Sequence, residues 1–450
     1  MTAAGQTRSM TPAPGARSEI RNAGILAIAG LVANVSSLLA TVLIARPLGE
    51  RDYGVVVNLV GMFLVLAIPG SALLVAVVRR VTAWESVGRG HLVDPWVRRV
   101  RRAGYVAFAG FVVLAVVSRW WLADLLNLPG PSGVSEVLVA GAGWAMLSVD
   151  RGLLQARLAY RSLAASVVSE AVARTVLTLG LVAVGVGVEA ASVGLLGALV
   201  IGDLVARRAL AERQRRPAAF APASVEEEEI VVAAAPVAPV MPIVGRRQLA
   251  VDVLSALAAL ALLALLQNLD AVIVGREAPA NRGEYGAISV SCKALIFAAL
   301  VLCGYLLPEA ATRSYRGEHA LRQLGVALGL LAVPAGGLCL VALVAPETLL
   351  RVVFGPKLVG ASNAFFTLAI GMTALAVAVL LTHYLLGFGR RRVVIVLAVT
   401  VVVNAVLLSA ANGDPLDTAR ADLACNVAVV VIAAVMVWRT HRPELRLRRT

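Results

Sequence analysis

The apolar residues of this chain come in runs of about twenty, each bounded by charges, glycine or proline. As a helix, a run of that length crosses a hydrocarbon layer of roughly 30 Å. Twelve runs are found, at approximately 23–45, 55–78, 103–122, 135–156, 162–184, 190–206, 249–273, 285–307, 322–345, 361–386, 393–411 and 419–438. No water is available inside a bilayer, so each segment must satisfy its own backbone hydrogen bonds. The fold class expected is therefore all-α and integral to a membrane. A transmembrane β-barrel would instead alternate its residues over segments of about ten. Composition agrees: 59% of the 450 residues are hydrophobic and 15% are charged, whereas a soluble domain carries nearer 25%.

The formal charge of +14 could suggest a nucleic-acid partner, but its distribution points elsewhere. With the N-terminus inside, cytoplasmic segments hold about 30 of the 41 Lys and Arg residues, clustered at 79–102, in 207–248 and in the C-terminal tail. That is the positive-inside bias of a multi-pass protein. The charge then serves topology and attraction to anionic headgroups, and no nucleic-acid partner is expected. Segment 79–102 reads as a surface element lying on anionic lipid. Both termini are expected on the cytoplasmic side. Of the 41 basic residues 39 are Arg, and with the Ala and Val excess this suggests a GC-rich bacterial genome. The expected location is therefore the bacterial cytoplasmic membrane. All four cysteines fall inside apolar runs without a CxxC pair, so neither a disulfide framework nor a zinc site is expected.

Five regions follow: a polar N-terminal tail (1–22), a six-helix bundle (23–206), a Pro/Ala-rich cytoplasmic linker with an acidic run at Glu226–Glu229 (207–248), a second six-helix bundle (249–438) and a basic tail (439–450). The two bundles share signals. "RPLGERDYGVVV" from Arg46 and "REAPANRGEYGAIS" from Arg276 both lead through an acid into Tyr-Gly and then apolar sequence. Tyr53 and Tyr285 are 232 residues apart, and the same offset maps "LLQARLAYR" onto "LLGFGRRRV", each joining a fourth run to a fifth. One offset linking two features indicates an internal duplication. Six crossings return the chain to its starting side, so the bundles insert in the same orientation, related by a pseudo-two-fold axis along the membrane normal. A substrate site between them, exposed to each side in turn, is the expected mode of action.

Four stretches carry a resemblance to a known family: "ARPLGERDYGVVV", "RGLLQARLAYRSLAASVVSEAVARTVLTLGLVAVGVG", "NLDAVIVGREAPANRGEYGAISVSCKALIFAALVLCGYLLPEAATRS" and "YLLGFGRRRVV". In their order and spacing the chain resembles the multidrug/oligosaccharidyl-lipid/polysaccharide (MOP) exporter superfamily, and within it the polysaccharide flippase branch. The resemblance implies transfer of a polyprenyl-diphosphate-linked oligosaccharide from inner to outer leaflet, with membrane lipids and with glycosyltransferases or a polymerase of the same pathway as partners. It implies no cofactor; an H+ or Na+ gradient, or the membrane potential, would supply the energy.

The chemistry of that task can be stated from the residues. A diphosphate cannot cross hydrocarbon unaided, so a carrier needs a wet cavity with fixed positive charge, and Arg matches phosphate through paired N–H donors. A charge in mid-membrane costs at least about 2.5–3.5 kcal/mol, so each one needs a reason. Arg174 lies at mid-depth in the fifth run, with Glu170 four residues earlier on the same helical face. Asp150 and Arg151 sit in the fourth run, which the short 157–161 joint makes a neighbour of the fifth. These four are the cavity candidates of the first half, and the resemblance adds that a Glu and an Arg at this spacing recur in the family. Glu170 and Arg174 neutralising one another is the structural alternative. In the second half the candidates are Lys293 and Asp270, the alternative being an interfacial pair with Lys293 reaching outward. Positions 402 and 406, at the 232 offset from Glu170 and Arg174, are both valine, so the halves are electrostatically unequal. Pro69 with Gly70, and Pro334, interrupt the second and ninth runs and are candidate hinges, against the plainer reading of static bends.

An enzyme is not expected. Only "GERD", "NRGE" and "NGDPLD" place acids on outer loops, and no P-loop occurs. The competing readings are an ion-coupled drug exporter of the same superfamily, a non-transporting membrane scaffold and a polyprenyl-dependent glycosyltransferase. The buried basic residues favour anionic cargo over the first of these.

Overall fold

The computed structural model describes residues 14–85, 89–215, 246–315 and 321–447. It is built from fourteen α-helices. The first half holds α1 (Pro14–Leu43), α2 (Ala45–Leu66), α3 (Ile68–Glu85), α4 (Val93–Leu125), α5 (Val134–Ala156), α6 (Tyr160–Ala183) and α7 (Glu189–Arg215). The second holds α8 (Arg246–Glu277), α9 (Arg282–Tyr315), α10 (Leu321–Val344), α11 (Pro346–Val353), α12 (Ser362–Gly387), α13 (Val393–Ala410) and α14 (Pro415–Leu447). Among the described residues eleven stretches are long and apolar enough to cross a membrane, one of them running through α2 and α3 together, and Ile28–Leu43 of α1 is a shorter apolar stretch at the place of the twelfth. The protein is thus a twelve-span membrane protein in two six-helix bundles.

The 232-residue offset carries from motif to architecture. It places α1 at 246–275, within α8, and α2 with α3 (45–85) at 277–317, over α9. It also places α5, α6 and α7 at 366–388, 392–415 and 421–447, over α12, α13 and α14. The halves differ where their residues differ. The helix breaks at Ala67, because Pro69 has no N–H to continue the ladder; the ladder resumes when Ser71 N–H donates to the Ala67 carbonyl at 3.1 Å. Position 301, the counterpart of Pro69, is Val301, and α9 runs through it unbroken.

Two expectations need adjustment. The N-terminal tail, linker and basic tail are partly helical: α1 starts at Pro14, α7 continues to Arg215 and α14 to Leu447. Residues 1–13, 216–245 and 448–450 lie outside the described residues. Segment 79–102 comprises the end of α3, to Glu85, and the start of α4, from Val93. The short amphipathic α11 falls in what reads from sequence as a loop.

Helices approach closely where small residues face them, as expected when apolar driving force between helices is absent. Gly152 abuts Val77, and Gly371 abuts the backbone of Leu423. Gly70 lies against the ring of Trp144 and has no room for a Cβ, so its smallness serves packing of α3 on α5. Pro334 lies inside an unbroken α10, and its neighbour Val333 is 75% exposed.

The duplicated corner is where the halves meet. Tyr53 and Tyr285 are both fully buried, and Tyr53 sits in the apolar core of the second half, its ring 5.9 Å from that of Phe354. Gly54, Val57, Asn58 and Gly61 form one face of α2 at helical spacing. Opposite them stand Arg282 and Gly283, Gly286, Gly275 and Asn268. Three hydrogen bonds join the halves at this end. Arg282 Nη2 donates to the Asn127 carbonyl at 2.6 Å, Asn127 Nδ2 to the Arg276 carbonyl at 3.0 Å, and Arg46 to the Val352 carbonyl. We call this the corner end, and the opposite end, where α7 ends and α8 begins, the linker end. The repeated sequence is written twice because each copy closes against the other.

Candidate functional site

Beneath the corner seam lies a cavity of about 520 Å³ between the halves, lined by α1, α2, α3, α5 and α6 on one side and α8, α9 and α12 on the other. Val57, Gly61 and Asn268 belong both to its lining and to the seam, so the seam is its roof. Much of the wall is aliphatic, from residues such as Leu257, Leu263 and Ile296. Four ionisable side chains break it: Arg151, Glu170, Arg174 and Lys293. Three cations against one carboxylate leave a net charge of +2.

The pairing differs from the local alternative. Glu170 pairs with Arg151 of α5, Nη2 to Oε2 at 2.9 Å, and not with Arg174 on its own helix. Arg151 also donates from Nε to Ser166 Oγ at 3.1 Å and from Nη2 to the Ser166 carbonyl at 2.9 Å, and its guanidinium lies 5.3 Å from the Trp144 ring centre. It is 3% exposed and held on every side. Among the described residues Arg174 has no ion pair, and its Nε is buried without a hydrogen-bond partner. It stands outside any such pair, in the field of Glu170 one helical turn away. Removing Arg151 strands Glu170: Arg151→Met is expected to destabilise the fold by about 3–5 kcal/mol, read as earlier unfolding in a denaturant titration, with Arg151→Lys intermediate.

Lys293 turns inward rather than snorkelling. It is 7% exposed, lines the cavity and donates to Asn268 Oδ1 at 3.1 Å. Asp270 does not reach the cavity. It is fully buried behind it, where Tyr285 Oη and Ser289 Oγ donate to its Oδ2 at 3.1 and 3.3 Å. Asp150 faces the other way and meets Arg101 of α4 and Arg207 of α7, the latter at 3.2 Å. Val402 and Val406 are 65% and 64% exposed and line no part of the cavity. The halves are unequal in placement as well as charge.

A second carboxylate was not anticipated. Asp422 of α14 is fully buried, and accepts from Asn404 Nδ2 at 3.3 Å and Asn426 Nδ2 at 2.9 Å. In this second-half core Asp270 Oδ1, Asn404 Oδ1, Thr418 Oγ1 and Asn426 Oδ1 are buried without a hydrogen-bond partner. Unpaired buried oxygens suit a proton or a hard cation. "ADLACN" in the twelfth run offered a signal, with Asp422 and Asn426 four residues apart in apolar sequence.

No protein-family model matches the sequence, and no curated protein matches it. Solved structures do. The chain is similar to an inward-facing conformation of a multidrug resistance MATE family transporter of the MOP superfamily, at TM-score 0.65 and 12% identity over 92% of this chain and 99% of that one. It is similar to an outward-facing conformation of such a transporter at TM-score 0.57 and 15% identity, over 95% and 96%. A third is a MOP superfamily transporter from Pyrococcus furiosus, reported with a reverse polarity of its binding pocket that suggests a different function, at TM-score 0.59 and 14% identity over 95% and 96%. At such identities the likeness establishes the fold alone: the chain is folded as these MATE and MOP-superfamily structures are.

Proposed function

We propose that this chain is a MOP-superfamily exporter that carries an anionic amphiphile across the bacterial cytoplasmic membrane by alternating access. The observation that carries the reading is the net positive cavity, with Arg174, outside any ion pair among the described residues, alongside Lys293 and the Arg151–Glu170 pair. By the positive-inside bias the corner end is the outer side, so a closed corner seam leaves the cavity to be loaded from the cytoplasm. The cargo class that fits is a lipid-linked saccharide, its diphosphate on the cationic wall and its chain in the bilayer. Reconstituted protein and a fluorescent polyprenyl-diphosphate saccharide test it, leaflet transfer being the expected result.

A second reading has its own support. Two of the structural neighbours are multidrug resistance transporters, and 520 Å³ is the size of a drug-like ligand site rather than of a whole oligosaccharide. Efflux of dyes without any lipid transfer would favour that exporter. The cavity charge then argues for anionic over cationic dyes.

Either transporter needs an energy source, and no P-loop is present. The buried second-half oxygens around Asp270 and Asp422 are the proposed seat of a coupling H+ or Na+. Asp270→Asn should reduce gradient-driven transport to the level seen without a gradient, while cargo binding to detergent-purified protein persists. Gradient-driven rates unchanged in Asp270→Asn would remove that seat.

A further inference from the structure

A second cavity, of about 370 Å³, opens at the linker end of the first half between the start of α4 and the ends of α5 and α7. It shares no lining residue with the central cavity. Arg98, Arg101, Arg157 and Arg207 line it, with Asp94 as the one carboxylate and Val97, Leu153, Leu210 and Ala211 as apolar wall. Its floor is fixed: Asp150, fully buried, receives Arg101 Nε on Oδ1 at 3.0 Å and Arg207 Nε on Oδ2 at 3.2 Å. Arg207 is held further by Asp203 at 2.7 Å. Arg157 reaches Asp94 at 3.3 Å and Glu85 at 3.6 Å, both partly exposed, and Arg98 has no ion pair among the described residues.

Its depth bears on what it binds. Arg98, Arg99, Arg101 and Arg102 give way on α4 to Tyr105, 45% exposed, and Val106, 71% exposed, followed by exposed Val113 and Val117. The Arg207 guanidinium lies 5.6 Å from the Tyr105 ring centre. The pocket therefore sits where an arginine-rich surface meets a lipid-facing one, at headgroup level. Guanidinium forks match phosphate oxygens, and basic pockets between membrane helices suit anionic headgroups.

We propose that this pocket binds the phosphate headgroup of an anionic phospholipid. Arg98 and Arg157 contact the phosphate, Arg101 and Arg207, paired with Asp150 and Asp203, offer their remaining N–H donors from fixed positions, and the acyl chains lie along the apolar face of α4.

The test uses the purified full chain in detergent. Short-chain phosphatidylglycerol is titrated against thermal unfolding, with phosphatidylcholine of the same chain length and inorganic phosphate as separate arms. Phosphatidylglycerol is expected to raise the midpoint saturably, and the other two are not. Combined Arg98→Gln and Arg157→Gln should weaken its apparent affinity about tenfold or more. Arg174→Gln, in the central cavity, should leave it unchanged. Equal shifts from phosphatidylcholine overturn the proposal. So does full affinity in the double variant, or loss of the shift in Arg174→Gln, which assigns it to the central cavity. A shift from inorganic phosphate equal to that from the lipid overturns the lipid in favour of a soluble phosphate compound. These wild-type arms decide even where the double variant does not fold.

Discussion

Gly283→Ala should hold the corner end open and stop transport. A Cβ at Gly283 would overlap the backbone carbonyl oxygen of Glu50, which cannot swing aside as a side chain could. Gly54 presents the same geometry from the other half, its Cβ position 2.6 Å from both Arg282 Cγ and Gly283 N. Both glycines are helical, so alanine suits their backbone and is favoured there by about 1 kcal/mol. The clash exists only while the corners are together, so the substitution penalises one state and not the fold. Each 1.4 kcal/mol of that penalty moves the balance tenfold. The measurement is labelling of a cysteine introduced at Ser37, a cavity residue, by a membrane-impermeant thiol reagent added on the corner side. Labelling should rise about tenfold or more over the same cysteine without the alanine, with transport falling in parallel. Labelling and transport both unchanged would mean the seam is not a gate.

This seam also marks how far sequence alone reaches. Its two strands of evidence, "GERDYG" and "NRGEYG", were visible as a repeat, and the 232 offset anticipated which helices correspond. The repeat could not say that the two copies touch. That contact depends on the rotation of α2 about its own axis, which puts Gly54, Asn58 and Gly61 toward the second half. A 3.6-residue period identifies a face without naming its neighbour.

The same limit shaped the site. Arg174, Arg151 and Lys293 were legible because charge inside an apolar run is expensive, so each stands out against its surroundings. Their partners were legible only in part: the short joint between the fourth and fifth runs puts Arg151 and Glu170 at similar depth, and the structure pairs them. Glu170 is four residues from Arg174 on one helix, which makes them a plausible pair, yet the geometry gives Glu170 to Arg151 across the α5–α6 contact. Asp150 finds Arg101 and Arg207, 49 and 57 residues away, and so belongs to the arginine pocket at the linker end. Asp270 lies behind Lys293 rather than beside it on the cavity wall, and Asp422, in the last span, completes a polar core that no single run discloses. Pro69 was readable as a break because proline acts on its own helix. Gly70 beside it was readable only as a breaker, its contact with Trp144 being a matter of packing.

Arg174→Leu should give a result of two signs: a more stable protein that no longer carries anionic cargo. Arg174 has no ion pair among the described residues and a buried Nε without a partner, so the fold gains little from its charge. Insertion scales put the cost of a central arginine at about 2.5–3.5 kcal/mol, an upper bound for relief here because Arg174 lines a cavity rather than facing hydrocarbon. Leucine keeps the helix propensity of position 174 and leaves the Arg151–Glu170 pair intact. The cavity then falls from +2 to +1, counting Arg151 and Lys293 against Glu170. Loss of a charge-assisted contact to phosphate should weaken binding of a polyprenyl-diphosphate saccharide about tenfold or more, and leaflet transfer with it. Arg174→Lys keeps the charge without the fork and should fall between. A residue kept for structure would show the opposite stability change, since its loss would remove a contact. Stability unchanged or lowered, together with full transfer in Arg174→Leu, would take the positive charge at this position out of the mechanism. The reason for an unpaired guanidinium in the middle of a membrane would then have to be sought elsewhere than in the cargo.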